Sequence, residues 1–132
     1  MKIFIQLFSL FLFTHSVIAH HSTSTYDFER EVNLQGTVVA FSWADPHIYI
    51  DIETLNTSNT IIIRRIEGPA PIALSSVGWN EESLMPGEFI TINANPALDQ
   101  ESTNLMGNSV LTQSGDYLPM GGMRLQEALR RR

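Results

Sequence analysis

Apolar residues recur with a period of two along most of this chain, the spacing of strands that bury one face. From Glu31 to Phe41, Val32, Leu34, Gly36, Val38 and Ala40 alternate with Asn33, Gln35, Thr37 and Val39. Gly36 inside that run predicts a bend or bulge in a strongly coiled strand. Asp45-Pro46 is a turn signal. His47 to Glu53 alternates again, Ile48, Ile50 and Ile52 against Tyr49, Asp51 and Glu53, and the three Ile mark the inward face. Leu55 to Asn59 reads as a hairpin turn, and Thr60 to Ile66 as a third, β-branched strand.

Gly68-Pro69 ends this run of strands. Ala70 to Val77 suits a short helix stopped at Gly78, with Trp79 packing the helix end onto the sheet. Asn80 followed by Glu81 and Glu82 predicts a single helical turn over Asn80 to Leu84, capped by Asn and opened by acids. Glu88 to Ala94 is the fourth strand, Asn95 to Asn104 a polar loop and Leu105 to Thr112 the fifth strand. Met123 to Arg132 closes as a helix with Leu125, Ala128 and Leu129 on one face. Strand, strand, strand, short helix, strand, strand is the order of the OB-fold. The fold expected is therefore mainly β, a small five-stranded OB-like barrel with a short helix between strands 3 and 4. An open meander or a fragment of a sandwich is the alternative.

The first nineteen residues follow a different pattern. Lys2 precedes an apolar run from Ile3 to Phe13, and a more polar stretch ends in Val17-Ile18-Ala19. Charge, short apolar core and small residues at the cleavage positions make residues 1–19 a signal peptide, with cleavage after Ala19. The apolar core falls short of the roughly 20 residues that span a bilayer, and no later segment supplies a span. The chain then divides into a flexible mature N-terminus over 20–30, the OB-like β domain over 31–113 and a C-terminal tail over 114–132. Export places the mature protein in the periplasm or outside the cell.

Composition narrows the chemistry. With no Cys, disulfides, thiolate metal sites and a Cys nucleophile are all excluded,. Fourteen acidic residues against eight basic ones give a net charge of -6, which repels a phosphate backbone and argues against nucleic acid as a partner,. The sole Lys lies in the leader. The one basic cluster, Arg130 to Arg132, is a terminal tail,.

Several short motifs carry a resemblance. The chain has His20-His21-Ser22, then Tyr26-Asp27, then Val32, Leu34, Gly36 and Val38 at alternate positions. Trp43, Pro46 and His47 follow, and then Gly78-Trp79, Leu84 and Pro86-Gly87. In this set and spacing the chain resembles a family of uncharacterised secreted bacterial proteins, a domain of unknown function, over about His20 to Ala94. The family's Trp-x-Asn-Pro-His step has Asp45 in place of Asn here, and Asn93-Ala94-Asn95 stands where a Gly usually closes the fourth strand. The resemblance implies export and a small β fold, and no established activity.

Two constellations could carry chemistry. Cleavage after Ala19 would leave His20 first, offering its amine and its imidazole Nδ1 to one metal ion. His21 adds a second imidazole, and His47 is the only other His of the mature chain. Nitrogen donors of this kind suit Cu(II), with Zn(II) and Ni(II) as competitors. The arrangement resembles the histidine brace of secreted copper monooxygenases. The plainer readings are a terminal His-His dipeptide that picks up copper adventitiously, and a His47 that caps the barrel mouth by bonding Asp45. The second constellation is Trp43, Asp45, His47 and Tyr49, where an outward His and Tyr beside Trp43 would form a small ligand groove; ordinary amphipathic patterning accounts for the same residues.

Three functions follow from these features. The first is an exported, non-enzymatic β-barrel binding protein that holds copper through His20, His21 and His47. The second is a secreted copper-dependent oxidoreductase using the same ligands. The third is a metal-free envelope interaction module that uses the Trp43 to Tyr49 edge to meet a small molecule or an envelope protein.

Overall fold

In the computed structural model, which describes residues 25–131, the alternating segments close into a barrel. The elements in order are β1 (Val32–Ser42), β2 (Tyr49–Leu55), β3 (Ile61–Glu67), α1 (Pro71–Ser75), β4 (Phe89–Pro96), β5 (Asn104–Thr112), β6 (Tyr117–Pro119) and α2 (Gly122–Arg130). β1 pairs antiparallel with both β2 and β4, β2 with β3, and β4 with β5. Parallel pairing of β3 with β5, from Arg65 opposite Asn104 to Glu67 opposite Met106, closes the ring. Five strands joined in this way, with a short helix between the third and fourth, form the expected OB-like barrel,.

The inward Ile column is as the alternation required: Ile48, Ile50 and Ile52 are fully buried, together with Ile66, Ile90, Ile92 and Val110. Burying an aliphatic side chain of this size stabilises by about 1.5–3 kcal/mol. Leu74 of α1 and the neighbouring Trp79 and Leu84 join the same core. Trp79 Nε1 donates to the Pro119 carbonyl at 2.8 Å, so the indole spends its one polar atom on β6. Its ring lies 6.0 Å from that of Phe41.

Departures from the sequence pattern are local, and each has a physical cause. The bulge in β1 falls at Val39, not at Gly36: Val38 pairs with Ile52 and Ala40 with Asp51, leaving one residue over. The extra residue reverses the face, so Ala40 is exposed and Phe41 turns inward,. Gly36 answers to a close approach instead. It pairs with Ile90 of β4, and a Cβ there would lie 2.4 Å from the Glu53 carbonyl oxygen of β2. β2 begins at Tyr49, two residues after the expected start at His47. α1 spans only five residues. Asn80 to Leu84 forms turns instead of a helical turn, with Asn80 Oδ1 accepting from the Glu82 amide at 2.8 Å.

β4 continues through Asn95 and Pro96, where the polar pattern predicts a loop. Asn95 is buried there and satisfied: its Nδ2 donates to the Arg30 carbonyl and its Oδ1 accepts from Asn108 Nδ2, both at 2.8 Å. β6 has no counterpart in the sequence pattern, since three residues ending in proline give no periodicity to read. α2 packs Leu125 and Ala128 against the core while Leu129 stays exposed. Arg124 of α2 bonds Asn93 and pairs with Glu31. Among the described residues no helix is long and apolar enough to cross a membrane.

Gly36 supplies the sharpest test of the barrel's packing. Gly36→Ala places a methyl group against backbone, which cannot rotate aside, and is expected to cost about 1–3 kcal/mol. Urea unfolding would show a lower midpoint with an unchanged slope. An unchanged midpoint would mean that β2 gives way without cost.

Candidate functional site

The hairpin of β2 and β3 sets out a polar row on the outside of the barrel. Its register places Tyr49 opposite Glu67 and Asp51 opposite Arg65. Alternation keeps these side chains on the face away from the Ile column. Arg65 donates to both Asp51 oxygens at 2.8 Å, and its guanidinium carbon lies 5.6 Å from the centre of the Tyr49 ring. The pair is largely exposed at Arg65, so it orients side chains more than it stabilises the fold,.

His47 stands at the end of this row. The ladder runs on past β2 and β3 proper, with Gly68 N donating to the Ile48 carbonyl at 3.0 Å and Ile48 N to the Pro69 carbonyl at 3.2 Å. That holds Gly68 beside His47, whose Nδ1 lies 3.0 Å from the Gly68 carbonyl oxygen and 3.5 Å from Glu67 Oε1. A carbonyl accepts only, so Nδ1 carries the hydrogen of this bond. A larger residue at position 68 would force neighbouring side chains to shift, because a Cβ would lie 2.6 Å from Met120 Cε and 2.7 Å from Ile48 Cγ1.

The third member comes from the beginning of the described chain. Tyr26 Oη donates to Glu67 Oε2 at 2.9 Å. Backbone bonds secure the segment: Tyr26 bridges Ala97, Asp27 N donates to the Pro96 carbonyl and Leu98 N to the Thr25 carbonyl, the last two at 2.8 Å. This anchoring falls within the 20–30 stretch expected to be flexible. Glu67 thus joins Tyr26 on one oxygen to His47 on the other. Burial first, then the hydrogen bond and charge of Glu67, push the Tyr26 phenol well above its ordinary value of 10.0.

The residues singled out from sequence meet different fates. His47 and Tyr49 share the outer face with Glu67 between them. Trp43 is half-buried at the core edge, its ring centre 5.9 Å from that of Phe41. Asp45 is exposed in the turn, and His47 Nδ1 meets the Gly68 carbonyl. His20 and His21 lie outside the described residues. Among the described residues no three His, Cys, Asp or Glu side chains gather as a metal site. Tyr26, Glu67 and Gly68 carry no sequence signal strong enough to mark them as site residues. Counting back across the hairpin from Asn56–Asn59 would set Glu67 against Tyr49, but nothing local announces Tyr26.

A raised phenol pKa means that the folded state holds the Tyr26 proton more tightly than the unfolded chain. Its contribution is full below about pH 10 and is lost as pH rises beyond. Tyr26→Phe is expected to lower stability at pH 7 by about 1 kcal/mol, and to flatten the loss of stability above about pH 10. Ultraviolet titration would show a late-ionising phenol in the parent protein that is lost in the variant. Equal titration in both would remove the Tyr26–Glu67 bond from the account.

Comparison with known proteins bears on the same region. No match was found among curated proteins or among solved structures. The family described as "Family of unknown function (DUF6152)" matches residues 9–106. That span takes in Tyr26, His47, Tyr49 and Glu67 and reaches the start of β5. The chain therefore belongs to this family of unknown function, DUF6152.

Proposed function

We propose that the protein is an exported binding module that holds Cu(II) between its mature N-terminus and the barrel, with His20, His21 and His47 as ligands. The observation that carries this reading is the Tyr26–Glu67–His47 chain of contacts. Tyr26 lies six positions after His20, a reach of at most about 20 Å when extended. Tyr26 rests on the same carboxylate that His47 faces. The tether therefore begins beside the one barrel imidazole, as a joint site requires.

The setting of His47 also suits a ligand. Metal-bound imidazoles commonly donate their other N–H to a carbonyl or carboxylate, which fixes the ring and raises its basicity. Nδ1 of His47 has both kinds of oxygen near it. Nitrogen-rich sites favour Cu(II) over the other divalent first-row ions. Export of the chain rests on the leader-like residues 1–19, and a free His20 amine rests on cleavage after Ala19.

Calorimetric titration of Cu(II) into the mature protein beginning at His20 tests the reading. One-to-one binding is expected, weakened at least about tenfold both by an additional N-terminal Gly and by His47→Ala. Binding that ignores His47 would reduce the site to an adventitious terminal dipeptide and overturn the proposal. Copper-dependent consumption of peroxide by the loaded protein would replace a carrier with an oxidoreductase.

A further inference from the structure

A second feature lies on the inward side of β3 and is independent of the His47 site. β3 pairs with β2 without a bulge, so Ile62, Arg64 and Ile66 share the barrel-facing side,. Ile66 is fully buried and Arg64 half-buried. An arginine at a position that alternation reserves for an apolar residue is costly unless its donors are satisfied. Arg64 Nε is buried and has no hydrogen-bond partner, the one such side-chain atom among the described residues. None of the ion pairs among those residues uses Arg64 or Arg30.

Arg64 lines a depression of about 300 Å³ between the start of β1, β3 and the start of β5. Val32, Leu34 and Leu105 give it aliphatic walls, and Arg30 is a second arginine in its lining. Two arginines that make no ion pair among the described residues line this depression, on a chain whose net charge is -6. The geometry points to a binding site for a small organic monocarboxylate with a short aliphatic tail. The guanidinium fork suits a carboxylate bidentately, and the apolar walls take the tail. The volume sits at the lower limit of small-molecule pockets. Asp99, also in the lining, disfavours a second negative charge on the ligand.

Hexanoate is the probe, titrated into the isotope-labelled mature protein with backbone amide shifts as the readout. Saturable shifts are expected at Leu34, Arg64 and Leu105, with hexanol and inorganic phosphate at least about tenfold weaker. Arg64→Gln should weaken hexanoate about tenfold or more, Arg64→Lys less, and exposed-rim Arg30→Gln least. His47→Ala should bind hexanoate as the parent does, which separates this site from the copper site. Hexanol binding as well as hexanoate would leave an apolar hollow only, and phosphate binding as well would leave a simple anion site; either overturns the proposal. So would shifts that do not saturate in the parent, a result that stands even if a variant at Arg64 fails to fold.

Discussion

The short parallel pairing of β3 with β5 is the constraint on which the rest depends. Only Arg65, Ile66 and Glu67 find partners there, yet they turn an open five-stranded sheet into a ring. Without that closure Ile66 and Leu105 would lose their cover. The ladders of β1 with β2, β2 with β3 and β4 with β5 join strands consecutive in sequence, whereas the closing contact spans some forty residues and the β1–β4 ladder more than fifty. The closing contact also decides where the candidate chemistry sits. Glu67 is the last residue of the closing strand, Gly68 follows it, and His47 takes its orientation from both.

The two faces of the β2–β3 hairpin put a single alternation to opposite uses. Inward, it builds an aliphatic column that Arg64 interrupts. Outward, it builds a graded polar row from the Asp51–Arg65 pair through Tyr49 to Glu67 and His47. Tyr26 is recruited from far away in sequence because Glu67 has a second oxygen to satisfy. Long-range polar contacts of this kind fix the geometry of a surface more than they add to its stability, since water competes for each of them.

Much of the barrel is legible in the amino-acid sequence. The Ile48, Ile50 and Ile52 column declares both its strand and its inward face, and the order of elements points to the barrel. The position of a bulge is not legible: nothing in Val38-Val39-Ala40 says which residue will be left over, so Gly36 attracts a reading that belongs at Val39. Asn95 looks like loop because its polarity is visible in sequence and its buried partners, Asn108 and the Arg30 carbonyl, are not. The candidate site is half visible for the same reason. His47 and Tyr49 are close in sequence, whereas Glu67 meets them across a hairpin and Tyr26 arrives from a separate segment. Trp43 draws attention as an aromatic beside a His, but its neighbour Phe41 leads it toward the core.

The incomplete reach of β3 has a consequence for the protein in concentrated solution. Among the described residues its first half, Ile61 to Arg64, has β2 on one side and no strand on the other, with Ile61 and Ile63 exposed at 65% and 44%. A β-branched run on an open edge is a template for strand addition by other chains and hence for aggregation. Arg64 and Arg65 follow that run directly. Arg65 is compensated by Asp51, but Arg64 has no ion pair among the described residues, and its charge makes stacking of identical copies repulsive where the barrel itself leaves the edge uncovered,.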